Sequence, residues 1–227
     1  MDQYVCVRMV QGWGMDLSLF QFDWYATWMV FLMNSDRAIY GRFGAKHAND
    51  VQGLSRALEG ALDLHRNYPA TKVELAGKVG PALPWKKSED LPGIKEKGKF
   101  GEAESKKGCV HCHNVREALT KSYRSLGQPA PDRILAPWPG PERMGVSLQG
   151  GERATVTEVH KGSPAEAAGL QPGDKIVRFG GQPILSITDV EWVLWSGPDQ
   201  GDLKMEFDRG GRRVEAAVSL PGGWRSR

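Results

Sequence analysis

Residues 162–184, GSPAEAAGLQPGDKIVRFGGQPI, constrain this chain more than any other stretch. Ser163 stands where a helix needs a side-chain cap, Pro164 takes the first helical position, and Glu166 completes a capping box. The short helix AEAA then meets Gly169, placed for a left-handed C-cap, and Leu170, placed for the apolar contact that follows one. Pro172, Gly173 and Asp174 turn the chain into the strand KIVRF, and Gly180–Gly181 makes a tight hairpin turn. Each step is set by local chemistry, so the path of the backbone is nearly prescribed.

The order Gly-Ser-Pro-Ala-x-x-Ala-Gly-Leu-x-Pro-Gly-Asp-x-Ile resembles the signature of PDZ domains of the bacterial protease-associated type. The flanks agree over residues 142–220. MGVSLQ (144–149) fits the first groove strand, RATVTEVH (153–160) the second, SITDVEWVLWS (186–196) the groove helix, and LKMEFDRGGRRVEAAVSL (203–220) a closing hairpin turned at RGGR. His160 falls at a strand end and is expected to be exposed. The resemblance implies capture of a partner's C-terminal peptide as an added strand, its carboxylate held by backbone amides. It places that loop at Arg143, Met144, Gly145 and Val146, with the amides of the last three facing the anion and Arg143 adding charge. Gly145 is expected to keep the backbone accessible. Val146 and Leu148 would line the groove from the strand, and Val190 and Leu194 from the helix. The alternative is a PDZ fold used only as a scaffold. Such domains accompany serine proteases, yet no Gly-x-Ser-x-Gly elbow is present and no Ser is convincingly placed with a His and Asp, so proteolysis is not expected.

Ahead of this domain, YVCVRM (4–9) reads as a strand and residues 27–44 as a hairpin turned at NSDR, its first strand continuously apolar. Asn49 or Asp50 can cap a helix over residues 51–66 with Leu54, Leu58, Ala61, Leu62 and His65 on one face, and Pro69 ends it. Strand, hairpin and helix in this order resemble the C-terminal half of a thioredoxin-like domain. Two parts of that family's pattern are missing: no C-x-x-C precedes the first strand, and WYATW (24–28) holds no proline where the family has a cis-proline. Residues 69–107 turn Lys-, Gly- and Pro-rich and read as a mobile connector.

KGCVHCHNV (107–115) opens a helix whose apolar face is Val115, Leu119, Tyr123 and Leu126, ended by Gly127 and followed by an extended Pro-rich run to Pro141. C-x-x-C-H at a helix start resembles the attachment site of c-type cytochromes. That likeness implies haem c bound through Cys109 and Cys112, with His113 as iron ligand and a redox partner to match. The same residues also read as a redox dithiol activated by the helix N-terminus, as an inert reduced pair, or as zinc ligands lacking a second pair.

The expected architecture is therefore α/β: an incomplete thioredoxin-like part (1–68), a flexible connector (69–107), a C-x-x-C-H helix with a Pro-rich segment (108–141), and a mostly-β PDZ domain (142–221). At 227 residues, 40% hydrophobic and 25% charged, the composition is that of an ordinary globular protein. A net charge of +3 without a dense basic block argues against nucleic acid. No run is long enough to span a membrane, WMVFLM (28–33) being the most apolar. Cys6 is expected to pack as a small hydrophobe. The N-terminus lacks signal-peptide features, which implies a cytoplasmic protein if the chain is complete, and a periplasmic or exported one if it is truncated and carries haem. The functional expectation is a peptide-binding adaptor with an associated redox or haem-type Cys site, the alternative being a haem electron-transfer or thiol-redox protein.

Overall fold

The computed structural model describes residues 3–44, 50–95, 110–149, 151 and 153–226. In chain order the elements are β1 (Met29–Met33), β2 (Ile39–Gly44), α1 (Val51–Arg66), α2 (Pro92–Lys95), α3 (Cys112–Ser125) and α4 (Asp132–Leu135). Then follow β3 (Val146–Gln149), β4 (Ala154–Val159), α5 (Pro164–Ala167), β5 (Lys175–Phe179), β6 (Gln182–Pro183), α6 (Ile187–Ser196), β7 (Gly201–Arg209) and β8 (Arg212–Leu220). Short 3-10 segments cover Ala70–Lys78, Ser88–Asp90, Pro141–Met144 and Trp224–Ser226.

These elements form two compact units that do not follow the linear partition expected from sequence. One combines residues 1–25 with 81–137, the other residues 26–80 with 138–227.

In the first unit α3 turns Val115, Ala118, Leu119 and Tyr123 inward, as its periodicity predicts, while Leu126 is exposed beyond the helix end. Met15, Leu17, Leu91, Ile94 and Val110 complete its core. Gly12 N–H donates to Val110 O at 2.7 Å and Leu17 N–H to Lys86 O at 2.7 Å. Gly93 N–H donates to Ser122 Oγ at 2.9 Å, fixing α2 on α3. The Pro-rich run is not wholly extended, for it contains α4, whose Ile134 is buried. The strand expected at 4–9 does not form. Residues 4–10 take no regular structure, and Val5, Val7 and Val10 are exposed. Without a neighbouring strand, β propensity has no ladder to act on. Cys6 is exposed too, rather than packed.

The second unit holds a six-stranded antiparallel sheet in the order β3-β4-β5-β7-β8, with β6 hanging on β5, so β3 and β8 are its edges. The predicted turn chemistry is realised. Ser163 Oγ accepts from Glu166 N at 3.1 Å, Glu166 Oε2 accepts from Gly162 N at 2.6 Å, and Gly169 sits at φ +79°. Asp174, buried at the PGD turn, accepts a two-pronged bond from Arg209, both arms at 2.8 Å, and so ties the turn to β7.

The hairpin β1–β2 and α1 form as predicted, with Asp50 capping α1 through Gln52 N. Leu32, Tyr40, Phe43, Ala57, Ala61, Leu75 and Leu185 share one core. His65, expected on the apolar face, is exposed at the rim, where its Nδ1 lies 2.7 Å from Tyr40 Oη. The sheet here has two strands, narrower than a thioredoxin-like half. The expected connector is ordered through residue 95, its later part lying outside the described residues. Its Lys78 is fully buried, and Leu91 and Ile94 are core residues. Composition suggested a solvated tether; a buried carboxylate and an apolar helix face supply the partners that order it.

That carboxylate is Asp189, in the first turn of α6. Its Oδ1 accepts from Lys78 Nζ at 2.7 Å and from Arg42 N at 3.2 Å, and its Oδ2 from Leu185 N at 3.0 Å. Lys78 Nζ also donates to Pro183 O at 2.6 Å, and Arg42 Nη2 to Lys78 O at 2.7 Å. The guanidinium lies 3.8 Å from the Trp192 ring centroid. Trp138, Trp192 and Trp195 lie ring against ring at 5.1–5.4 Å, Trp138 stacked on Trp195 and Trp192 tilted to both. At the far end Arg225 donates to Leu194 O and Gly197 O, both at 2.7 Å, closing the helix carbonyls. Every residue from Ile187 to Trp195 is buried.

Candidate functional site

The candidate peptide site lies where β3 begins. The 3-10 turn Pro141–Met144 ends at Gly145 in the left-handed region, φ +87°, and the chain enters β3 at Val146. Among the described residues β3 pairs with β4 on one side only, Val146 opposite Val159 and Ser147 opposite Glu158. It is an edge strand, so its other side can accept a further strand.

Residues 143–146 form the turn that leads into β3. Arg143 N–H donates to Gly140 O at 3.1 Å and Gly145 N–H to Glu142 O at 3.0 Å, so an incoming anion would compete with Glu142 O for the Gly145 amide. Gly145 O accepts from His160 N at 2.8 Å, and His160 is exposed. A Cβ on Gly145 would stand 2.1 Å from Ser163 Cβ. Glycine is therefore required here by backbone conformation and by the neighbouring helix cap, before any ligand is considered. Arg143 and Leu148 are half-buried, whereas Met144 is fully buried. Val146, Val190 and Leu194 have no exposed surface.

The group that fixes α6 was not legible in the sequence. Lys78 and Arg42 share one carboxylate, Asp189, with both partners of the Lys78–Asp189 pair fully buried. Burial pushes the Lys78 ammonium below its ordinary value, against the pull of Asp189, and burial lowers Arg42 in the same way. A lysine in a Lys- and Gly-rich stretch gives no local sign that it will be buried, and Asp189 reads only as a first-turn acid.

Of the C-x-x-C-H residues, Cys109 lies outside the described residues, as does the side chain of Cys112, whose backbone begins α3. His111 and His113 are exposed, their rings stacked at 5.7 Å and 9°. Among the described residues no group of three or more His, Cys, Asp or Glu is placed to hold a metal ion. No described helix is long and apolar enough to cross a membrane.

Comparison with known proteins agrees with the signature. The PDZ domain family model matches residues 142–220, and this segment is a PDZ domain. A putative zinc metalloprotease of Ralstonia nicotianae is 47% identical over 53 residues, 23% of this chain and 11% of that protein. A probable periplasmic serine endoprotease, DegP-like, of Hahella chejuensis is 36% identical over 67 residues, 30% of this chain and 14% of its own. A Do-like serine protease HtrA of Lactococcus lactis subsp. cremoris is 33% identical over 78 residues, 34% of this chain and 19% of its own. The chain thus spans only 11–19% of the length of these relatives. Among solved structures, an HtrA3 PDZ domain bound to a phage-derived ligand (FGRWV) has TM-score 0.28 at 26% identity, covering 32% of this chain and 70% of that one. The serine endoprotease from Yersinia pestis has TM-score 0.30 at 20% identity, covering 34% and 27%.

Proposed function

We propose that residues 142–220 capture the carboxy-terminal segment of a partner protein by strand addition along β3, making the chain a peptide-binding adaptor. The observation that carries this reading is the free edge of β3 within a segment that matches the PDZ family model. A peptide strand would pair with residues 146–149 and bring its carboxylate to the turn at Arg143, Met144, Gly145 and Val146. Leu148, half-buried, would meet ligand side chains first. The apolar floor of Val146, Val190 and Leu194 is reached only when the edge opens. Because α6 is held at its first turn, along its back and at its C-terminus, opening falls to β3 and the preceding turn. The cost of opening lowers apparent affinity by the fraction of chains that are open.

The test is fluorescence anisotropy of the full chain against a library of apolar-ended peptides, each made with a free carboxylate and as a carboxamide. Saturable binding by acids, lost in the amides and weakened by Leu148→Glu, is expected. Equal binding of acid and amide forms, or none by any peptide, rejects the reading. Gly145 is a poor probe, since its substitution disturbs Ser163 directly.

A second reading concerns the C-x-x-C-H run. His113 is exposed in the first turn of α3; by the C-x-x-C-H resemblance, Cys109, Cys112 and His113 would be the residues that hold a haem. Haem attached there would supply one-electron transfer; without it, the two thiols would serve as a dithiol. A haem stain of denatured protein from a host with haem-attachment machinery separates the two. An unstained band that reacts with a thiol probe removes the haem reading.

A further inference from the structure

We propose that Thr157 is a positioning residue of the peptide site: its hydroxyl latches β3 shut and so sets how often the edge opens to a ligand. On the reading that β3 opens to take a peptide strand, whatever holds β3 against β4 governs affinity. The two strands fall out of step at one point. Ser147 stands opposite Glu158 and Leu148 opposite Val156, so Thr157 is an extra residue of β4 with no counterpart on β3. Such a bulge disrupts the ladder locally and bends its strand, which makes it the place where an edge strand can peel. Here a side chain bridges the gap. Thr157 Oγ1 donates to Ser147 O at 3.0 Å.

The latch acts on β3 without touching the ligand. Gly145 O accepts from His160 N at 2.8 Å and Ser147 O accepts from Thr157, so both carbonyls face β4. Main-chain direction alternates along a strand, which turns the N–H and C=O of Val146 and Leu148 to the free side, where a ligand would pair. Thr157 is exposed and sits across β3 from that side. Val146 has no exposed surface and Leu148 is half-buried, so the side chains of an added strand enter only as β3 moves. When it moves, the Thr157 hydroxyl and the Ser147 carbonyl both meet water. A hydrogen bond exchanged for water in this way is worth a few-fold in an equilibrium, enough to tune affinity and too little to hold the fold.

The test is hydrogen exchange of the ligand-free full chain, followed by rapid-mixing fluorescence with the tightest-binding apolar-ended acid of the anisotropy library. Thr157→Val keeps the side-chain shape and a high strand propensity but removes the donor. It should raise exchange of the amides of residues 147–149 about threefold and leave β7 and β8 at parent rates. The peptide should then associate about threefold faster with an unchanged dissociation rate, because a larger fraction of chains is open. Thr157→Ser restores the hydroxyl and should return both readouts to parent values. A merely structural role for Thr157 predicts the opposite sign, weaker binding. Unchanged exchange, or binding by Thr157→Val equal to or weaker than the parent's, overturns the latch and leaves the adaptor reading standing. If no peptide binds either form, the adaptor reading and this role of Thr157 fall together.

Discussion

Replacing Asp189 with Asn should destabilise the second unit more than replacing Lys78 with Met, although the two residues form one ion pair. Lys78 Nζ and Asp189 Oδ1 are 2.7 Å apart and both side chains are fully buried. Removing one partner of such a pair typically costs about 3–5 kcal/mol, because the other charge is left in a medium that cannot solvate it. The two removals are not equivalent here, because Arg42 is the third charged group. Lys78→Met leaves one cation and one carboxylate in the pocket. Asp189 keeps its bonds from Arg42 N and Leu185 N. Its cost should fall near the lower end, about 3 kcal/mol. Asp189→Asn leaves Lys78 and Arg42 buried together without an anion and should reach about 5 kcal/mol, a large part of a typical domain's stability. The double variant should be less unstable than the sum of the singles, since each removes the reason for the other's cost. Urea unfolding followed by tryptophan fluorescence reads this directly, since the Trp138–Trp192–Trp195 cluster lies against the same helix. If Lys78→Met proves the worse variant, or both cost under about 1 kcal/mol, the charge accounting is wrong.

Three further outcomes follow from particular contacts. Gly145→Val should lower the melting temperature markedly, by about 2 kcal/mol or more of stability, because it adds a branched side chain at φ +87° against Ser163, and thermal unfolding measures it. Leu119→Ala, in the fully buried face of α3, should cost the first unit about 2–5 kcal/mol, read as earlier loss of hydrogen-exchange protection in α3. Stability should also rise with alkaline pH below the ordinary lysine value of 10.5. Burial lowers the Lys78 pKa in the folded state, so in that window the unfolded chain holds a proton that the folded chain has released. Urea midpoints across this range should climb less steeply in Lys78→Met than in the parent; an identical slope would show that Lys78 does not titrate there.

The PDZ domain was legible because its signature is local. A cap at Ser163, a left-handed Gly169, a turn at Asp174 and a Gly-Gly hairpin are each decided within a few residues, and all are present in the fold. The hairpin at residues 29–44 and the helix at 51–66 were legible for the same reason, from periodicity and a capping Asp50. The strand at 4–9 was misjudged because β propensity says what a segment tolerates, not whether a partner strand lies beside it. Residue types marked Val146, Val190 and Leu194 as apolar, but only packing decided that all three are fully buried. The sequence by itself therefore determined the turns and caps of residues 142–220, since these depend on neighbours along the chain. Tertiary structure alone decided that Lys78 leaves a solvated-looking stretch to neutralise Asp189, 111 residues away. That pairing is set by which charges meet where water is absent, and no local pattern encodes it.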